Sequence, residues 1–357
     1  MTSQKPIRTV LFGYGLGGRL FHAPFLSALP EFSLDAVVTA NAERAAAAVD
    51  DHGARVLGSA DDVWSRAGEF DLAVISTGNA AHVELATAAL EQGLDVVVDK
   101  PLCGDAATGR VLAELARERG RLLVTFQNRR WDGDFLTLQQ LIAEGDLGDV
   151  HRFESRFERF RPVPKAGFRE SADPADLGGL LYDLGSHLLD QALVLLGPAT
   201  HVYTELAARR PGVVVDDDVF VAVTHTNGAV SHHWMSVMAA ALGPRLRALG
   251  SRGAYVINSL DPQEEALRMN PRGVPAPGNG LPWGVREDEE NGWLYTHHAG
   301  RIIETLPGDY RKFWTGLAAA LTEGAPSPVP IEQTISLLEL IDAVRESARL
   351  GEVVALG

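Results

Sequence analysis

The chain has 357 residues, beyond the roughly 250–300 at which a single core stops growing, so two domains are expected. Its hydrophobic fraction of 46% and charged fraction of 22% argue against disorder, and a net charge of −15 works against nucleic acid as a partner. No stretch approaches the roughly 20 apolar residues of a membrane span, the N-terminal MTSQKPIRTVLFG carries no apolar signal segment, and one cysteine, Cys103, allows no internal disulfide; a cytoplasmic protein is expected.

Short apolar runs open the chain: Val10 to Phe12, Leu34 to Thr39, Leu72 to Ile75, Val96 to Val98 and Leu122 to Val124. Bounded by Gly, Asp or Asn, they read as strands buried on both faces. Between them lie Ala-rich stretches of helical length, Ala42 to His52, Ala80 to Gln92 and Ala106 to Arg119. Strand alternating with helix predicts an α/β fold with a doubly wound parallel sheet over residues 1–126.

The first strand runs into Gly13-Tyr14-Gly15-Leu16-Gly17-Gly18, which fits G-x-G-x-x-G and opens a helix near Leu16. Gly13 would permit the tight turn, Gly15 would let a pyrophosphate approach, and Gly18 would let helix pack on strand. The sequence thus predicts a dinucleotide on a Rossmann unit, held at a helix N-terminus. The second strand ends in Thr39-Ala40-Asn41-Ala42-Glu43-Arg44, without a carboxylate at its tip. Thr39, Asn41 and Arg44 suit a 2′-phosphate better than a bare ribose, so NADP is expected over NAD. Thr77-Gly78-Asn79, with His82 behind it, and Asp99-Lys100-Pro101 follow later strands. Ligands bind at these carboxyl ends, so Thr77, Asn79, His82, Asp99 and Lys100 join the dinucleotide-contact candidates.

The glycine fingerprint, Asp99-Lys100-Pro101 and Asp183-Leu184-Gly185-Ser186-His187 together resemble the glucose–fructose oxidoreductase / inositol dehydrogenase family. The usual loop there is Glu-Lys-Pro, from which Asp99 departs conservatively. Gly13 to Phe25, Gln127 to Phe135, Tyr182 to Gln191 and Asp261 to Leu267 look most like its NADP-dependent scyllo-inositol dehydrogenase-like branch. That branch often has Arg where this chain has Asn41, whose surroundings look instead like glucose–fructose oxidoreductase. The resemblance spans essentially the whole chain. It implies hydride transfer between NAD(P) and a secondary alcohol of a cyclic polyol or sugar, with Lys100, Asp183 and His187 as catalytic residues. It also implies that residues 127–357 form an α+β substrate-binding and oligomerisation domain with a large open sheet, and that the protein is a homodimer or homotetramer.

The pattern after Phe126 agrees. A helix is predicted from Phe135 to Glu144, and strands over Val150 to Phe157, Val213 to His225 and Ala229 to Val237. Such runs without intervening helices indicate an antiparallel or mixed sheet. Phe160 to Leu177 and Met269 to Asn291 read as long loops. Two helices end the chain, the last with Leu337, Ile341, Val344 and Ala348 on one face.

Tyr182 to Gln191 reads as a helix on which Asp183 and His187, four apart, share a face. A carboxylate one turn from an imidazole orients the ring and raises its pKa, as a general base requires; Asp190 is a supporting candidate. Asn128, Arg129 and Tyr182 are substrate-site candidates beside Lys100, Asp183 and His187, although Arg129 and Arg130 fit pairing with acidic groups equally well. His232-His233 and His297-His298 are adjacent pairs that point to opposite faces of a strand, so no metal site is expected. Phe160, Trp64 and Trp314 read as core aromatics. Rival functions on the same fold are an NAD-dependent glycosidase, an aldehyde or dihydrodiol reductase, and a non-catalytic dinucleotide sensor.

Overall fold

In the computed structural model, which describes residues 5–164, 167–269 and 284–357, the apolar runs become β1 (Ile7–Phe12), β2 (Phe32–Val38), β4 (Leu72–Ile75), β5 (Asp95–Val98) and β6 (Leu123–Thr125). A further short strand, β3 (Arg55–Leu57), has too little apolar length to stand out in the sequence. The strands form a parallel six-stranded sheet ordered β3-β2-β1-β4-β5-β6, whose order reverses beside β1, where such sheets open a ligand crevice. The crossovers are α1 (Ala23–Ala28), α2 (Ala42–His52), α3 (Ala60–Trp64), α4 (His82–Glu91) and α5 (Ala106–Arg119). Ser59 and Asp62 close a capping box on α3, and Asp105 caps α5 through the Thr108 amide.

Among the described residues the second sheet has nine strands. After α6 (Gly133–Ala143) come β7 (Val150–Glu158), α7 (Ser186–Leu196), β8 (Ala199–Ala207), β9 (Asp218–His225), β10 (Val230–Ser236), β11 (Leu246–Gly250), β12 (Gly253–Ile257), α8 (Gln263–Met269), β13 (Gly292–Thr296) and β14 (Gly300–Ile303). The chain closes with α9 (Arg311–Glu323), α10 (Ile331–Leu350) and β15 (Val354–Ala355). The order is β14-β13-β12-β11-β7-β10-β9-β8-β15. β7 and β10 pair in parallel and the other neighbours are antiparallel, so the sheet is mixed. The predicted strand from Val213 begins only at Asp218. Of the expected Met269 to Asn291 loop, residues 270–283 lie outside the described residues, as do 165–166 of the Phe160 to Leu177 loop.

Alternation sorts this sheet's residues. Phe153, Phe157, Val219, Val221, Val223 and Met235 are buried against α7 and α10, while Arg156, Phe220, His232 and Trp234 lie on the opposite face. The terminal helices return to the first sheet. Phe313, Trp314 and Leu317 of α9 share a core with Leu11, Phe25 and Phe126, and Leu338 of α10 packs with Val96 and Leu112. Trp314 is thus core, and Trp64 stacks on Phe12 at 5.3 Å. Phe160, expected inside, is 56% exposed: it continues the alternate series of Arg156, which lies on the outer face of the sheet. Among the described residues, no helix is long and apolar enough to cross a membrane.

Candidate active site

Glycine sterics shape the dinucleotide end. Gly13 has φ +92°, and a Cβ there would lie 2.4 Å from the Ser76 carbonyl oxygen; one on Gly18 would lie 2.1 Å from that of Gly13. Both glycines are closed in by backbone. Gly15 differs: a Cβ there meets nothing nearer than the Arg44 guanidinium at 3.8 Å. The loop is therefore tight where the chain turns and open where a pyrophosphate must approach, the division expected from the motif. The helical turn begins at Leu16, and Leu16 itself is 46% exposed.

Several expected contacts bond within the protein instead. Tyr14 is buried, its hydroxyl donating to Asp51 at 3.1 Å. Asn41 caps α2, accepting from the Arg44 amide at 2.9 Å, and its own amide bonds the Thr39 hydroxyl at 3.3 Å. The tip of β2 thus presents one guanidinium, that of Arg44, beside Gly15. His82 is sealed beneath the Lys100–Pro101 loop, its Nδ1 2.9 Å from the Pro101 carbonyl, so the ring cannot reach a dinucleotide. Burial lowers its pKa. Asn79 donates to the Asp176 carbonyl at 2.9 Å, tying the site to the loop before Asp183, while the Thr77 hydroxyl donates to the neighbouring Gly78 carbonyl at 3.3 Å.

Asp99 is a brace rather than a free contact. Its Oδ2 accepts from the Ser76 hydroxyl at 2.9 Å and lies 3.3 Å from His22 Nε2. A Cβ on Gly17 would sit 2.6 Å from that hydroxyl and 2.9 Å from the carboxylate, so the pair supports the glycine loop from below. Burial alone would raise the Asp99 carboxyl, but His22 and Ser76 bring it down to about 2.

At the chemical end, Lys100, next to a cis peptide with Pro101, donates to Asp183 Oδ1 at 3.1 Å and to the Asp183 carbonyl. Arg169 reaches the same carboxylate oxygen at 2.9 Å. Against the opposing effect of burial, these two cations hold the Asp183 carboxyl at about 2. The predicted Asp183–His187 pair does not form. Leu181–Gly185 is a turn of wider π-helix feeding α7, in which residues five apart stack rather than four, so Asp183 is rotated away from His187.

His187 is oriented by Gln127, which the sequence reading overlooked. Gln127 Nε2 donates to the Ser186 carbonyl at 3.4 Å, which leaves Oε1 to face His187 Nδ1 at 3.1 Å. Nδ1 therefore carries the proton and Nε2 keeps a lone pair. The pKa moves opposite to expectation: burial first, then the charges of Lys100, Arg129 and Arg245, push it well below the usual histidine range. Asn128, 5% exposed, adjoins this group. Gln127 was findable, since it lies just past β6 at the carboxyl end of the sheet.

The other substrate candidates have structural partners. Arg129 pairs with Glu264 at 2.8 Å and Asp132 at 3.3 Å, and Arg130 grips Asp190 through bonds of 2.8 and 2.6 Å. That salt bridge removes Asp190 from any role beside His187. Tyr182 faces away from the cleft, donating to the Gly104 carbonyl at 2.8 Å and accepting from Arg345 at 2.8 Å. His233 is buried between Ser155 and Ser231, while His232 lies on the outer face beside Trp234.

Known proteins share this architecture. Residues 7–127 match the model of an oxidoreductase family with an NAD-binding Rossmann fold, and residues 135–256 match the GFO/IDH/MocA C-terminal domain. The chain is 39% identical to the uncharacterized oxidoreductase YdgJ of Escherichia coli over 96% of each chain. It is 31% identical to scyllo-inositol 2-dehydrogenase (NADP(+)) IolW of Bacillus subtilis, over 98% of this chain and 96% of that one. The solved structure of the YPO2259 oxidoreductase from Yersinia pestis superposes with a TM-score of 0.90 at 35% identity, covering 99% of this chain and 97% of that one. With the fingerprint, both sheets and the Lys100 cluster in place, the chain belongs to the GFO/IDH/MocA oxidoreductases, enzymes built on an NAD-binding Rossmann fold.

Proposed function

We propose that the protein transfers hydride between NADP and a secondary alcohol or ketone of a cyclic polyol or sugar. One observation carries the reading: Lys100, held by Asp183, and His187, held with Nε2 free by Gln127, meet at the carboxyl end of the sheet that bears the glycine loop. The similarity to an NADP-dependent scyllo-inositol dehydrogenase supports the substrate class. The Arg44 guanidinium beside Gly15 supports NADP, since a 2′-phosphate there would meet a cation and the first amides of α2.

When bound, the nicotinamide supplies the hydride acceptor or donor. In the oxidation direction Lys100 donates a hydrogen bond to the reacting oxygen and stabilises the charge that develops there. His187 Nε2 accepts the hydroxyl proton, and Gln127 keeps that nitrogen unprotonated beforehand. The cations that keep the ring neutral also make its proton easy to give up again. Asp183 positions Lys100. The test is absorbance of reduced nicotinamide after mixing the protein with NADP or NAD and a panel of inositols and sugars. Signal with a polyol and NADP is expected; product released from an aryl glycoside without net reduction would point to a glycosidase instead.

The outer face of the second sheet supports a homo-oligomer, a dimer or a tetramer. Phe220 and Trp234 lie there with the Arg156 guanidinium 3.9 Å over the Trp234 ring, and Trp293, Tyr295 and Ile302 are 40%, 46% and 55% exposed. Light scattering that gave a monomer would remove this assignment.

A further inference from the structure

From Phe153 to Phe157 the side chains of β7 point alternately to the two faces of the sheet. Phe153, Ser155 and Phe157 face α7, whereas Arg156 lies on the outer face over Trp234. Arg159 continues the inner series, and the extended pairing runs on through it: its amide donates to Ser236 at 2.9 Å and its carbonyl accepts from Ala239 at 3.2 Å. This inner face passes beneath the turn that carries Asp183. Met235 on neighbouring β10 is 3.1 Å from where a Cβ on Gly185 would be, and the Phe157 ring lies 4.8 Å from the Arg129 guanidinium. The charges that act on Arg159 are accordingly Arg161, Asp183, Glu264 and Arg129.

Both carboxylates in that set already serve other cations. Asp183 is shared by Lys100 and Arg169, and Glu264 by Arg129 at 2.8 Å and Arg268 at 2.7 Å. Arg159 is half-buried, and its guanidinium has no hydrogen-bond or ion-pair partner among the described residues. Burial, and then Arg161, disfavour its charge. The cleft therefore holds surplus positive charge in a chain whose net charge is −15.

We propose that Arg159 is a subsite for an anionic substituent, a carboxylate or a phosphate, on the sugar or polyol whose alcohol meets Lys100 and His187. The assignment rests on the reading of those two residues as the reacting end. A guanidinium fork matches either oxyanion through paired charge-assisted hydrogen bonds, and a desolvated cation without a partner gains most from receiving one.

The test compares glucose, glucuronate and glucose 6-phosphate. Binding is measured by calorimetry on the NADP-loaded protein and turnover by nicotinamide absorbance, for wild type, Arg159→Gln and Arg159→Lys. One charged ligand is expected to bind about tenfold or more tightly than glucose, and which one distinguishes carboxylate from phosphate. Arg159→Gln should erase that ratio, Arg159→Lys should restore much of it, and added salt should shrink it. Equal affinities, no binding of either charged ligand, or a preference that Arg159→Gln leaves intact overturns the subsite. Turnover of neutral sugars without anion preference would remove the subsite and keep the catalytic reading; anion binding without turnover of any ligand would do the reverse.

Discussion

The two ends of the cleft are built from different materials. The dinucleotide end is backbone: Gly13 and Gly18 are fixed by carbonyl oxygens 2.4 and 2.1 Å from where a side chain would begin. The chemical end is side chains from three separate stretches, Lys100, Gln127 and the Asp183 to His187 turn. A backbone device is local, so spacing along the chain declares it. A side-chain device depends on how a helix winds and on which distant group arrives first. The first survives as a motif; the second must be seen.

The sharpest way to break this contrast is Lys100→Ala. Turnover should fall roughly 10²–10³-fold while NADP affinity, measured by fluorescence titration, changes little. A parallel loss of NADP binding would mean that the two ends are one device. Next, Gln127→Leu removes the acceptor that fixes the His187 tautomer, and a fall in kcat of roughly tenfold to a hundredfold is expected, with far smaller change in NADP affinity. Normal kcat would show that Asp183 or water can orient the ring.

Within the glycine loop, Gly13→Ala and Gly15→Ala should separate folding from binding. The first forces a strained φ and a clash, costing roughly 2–3 kcal/mol in a denaturant melt. The second meets no close protein atom, so it should fold normally and yet lose NADP. Arg44→Ala should narrow the NADP-over-NAD preference about tenfold, read from the ratio of kcat/KM values.

The smallest effect is in pH. Burial lowers the pKa values of His82, His187, His225 and His233 below their unfolded value near 6.5. Stability from keeping these rings neutral is complete above that value and is lost as pH falls from about 6.5 towards the folded pKa values. Asp99 and Asp183, at about 2 from 3.8, add a further loss as pH falls below about 4. Chemical melts between pH 7 and 5 should show a falling midpoint; a flat one contradicts the neutral, buried rings. The rate of alcohol oxidation should likewise begin to fall on the acid side only below the ordinary histidine range.

Much of the fold was legible because short apolar runs bounded by Gly, Asp or Asn alternate with Ala-rich stretches of helical length. β3 escaped, since its Arg55 is exposed and only Leu57 is buried. At the site, Lys100, Asp183 and His187 were reachable from sequence, but which groups pair there was not. Four-residue spacing promised an Asp183–His187 contact, and the π-turn at Leu181–Gly185 cancelled it. Tyr182, beside Asp183 in sequence, turns to Gly104 and Arg345, since neighbours along a helix do not share a face. Asp99 and His82 were placed in the right loops with the wrong facing, because a strand end fixes where a residue lies and not what its side chain bonds.

The return of α9 to the first sheet has a consequence for synthesis. His22, which holds Asp99 under the glycine loop, packs on Phe126 at 4.4 Å between ring centres and on Trp314 at 5.7 Å. A nascent chain that has only just emerged through residue 126 holds all six strands and the whole fingerprint, yet exposes the apolar face that Phe313 and Trp314 later cover. At about 5–20 residues per second, the wait for that lid lasts on the order of ten seconds or more. On the ribosome the dinucleotide loop is thus finished late, by a helix that follows strands β7 to β14 in the chain.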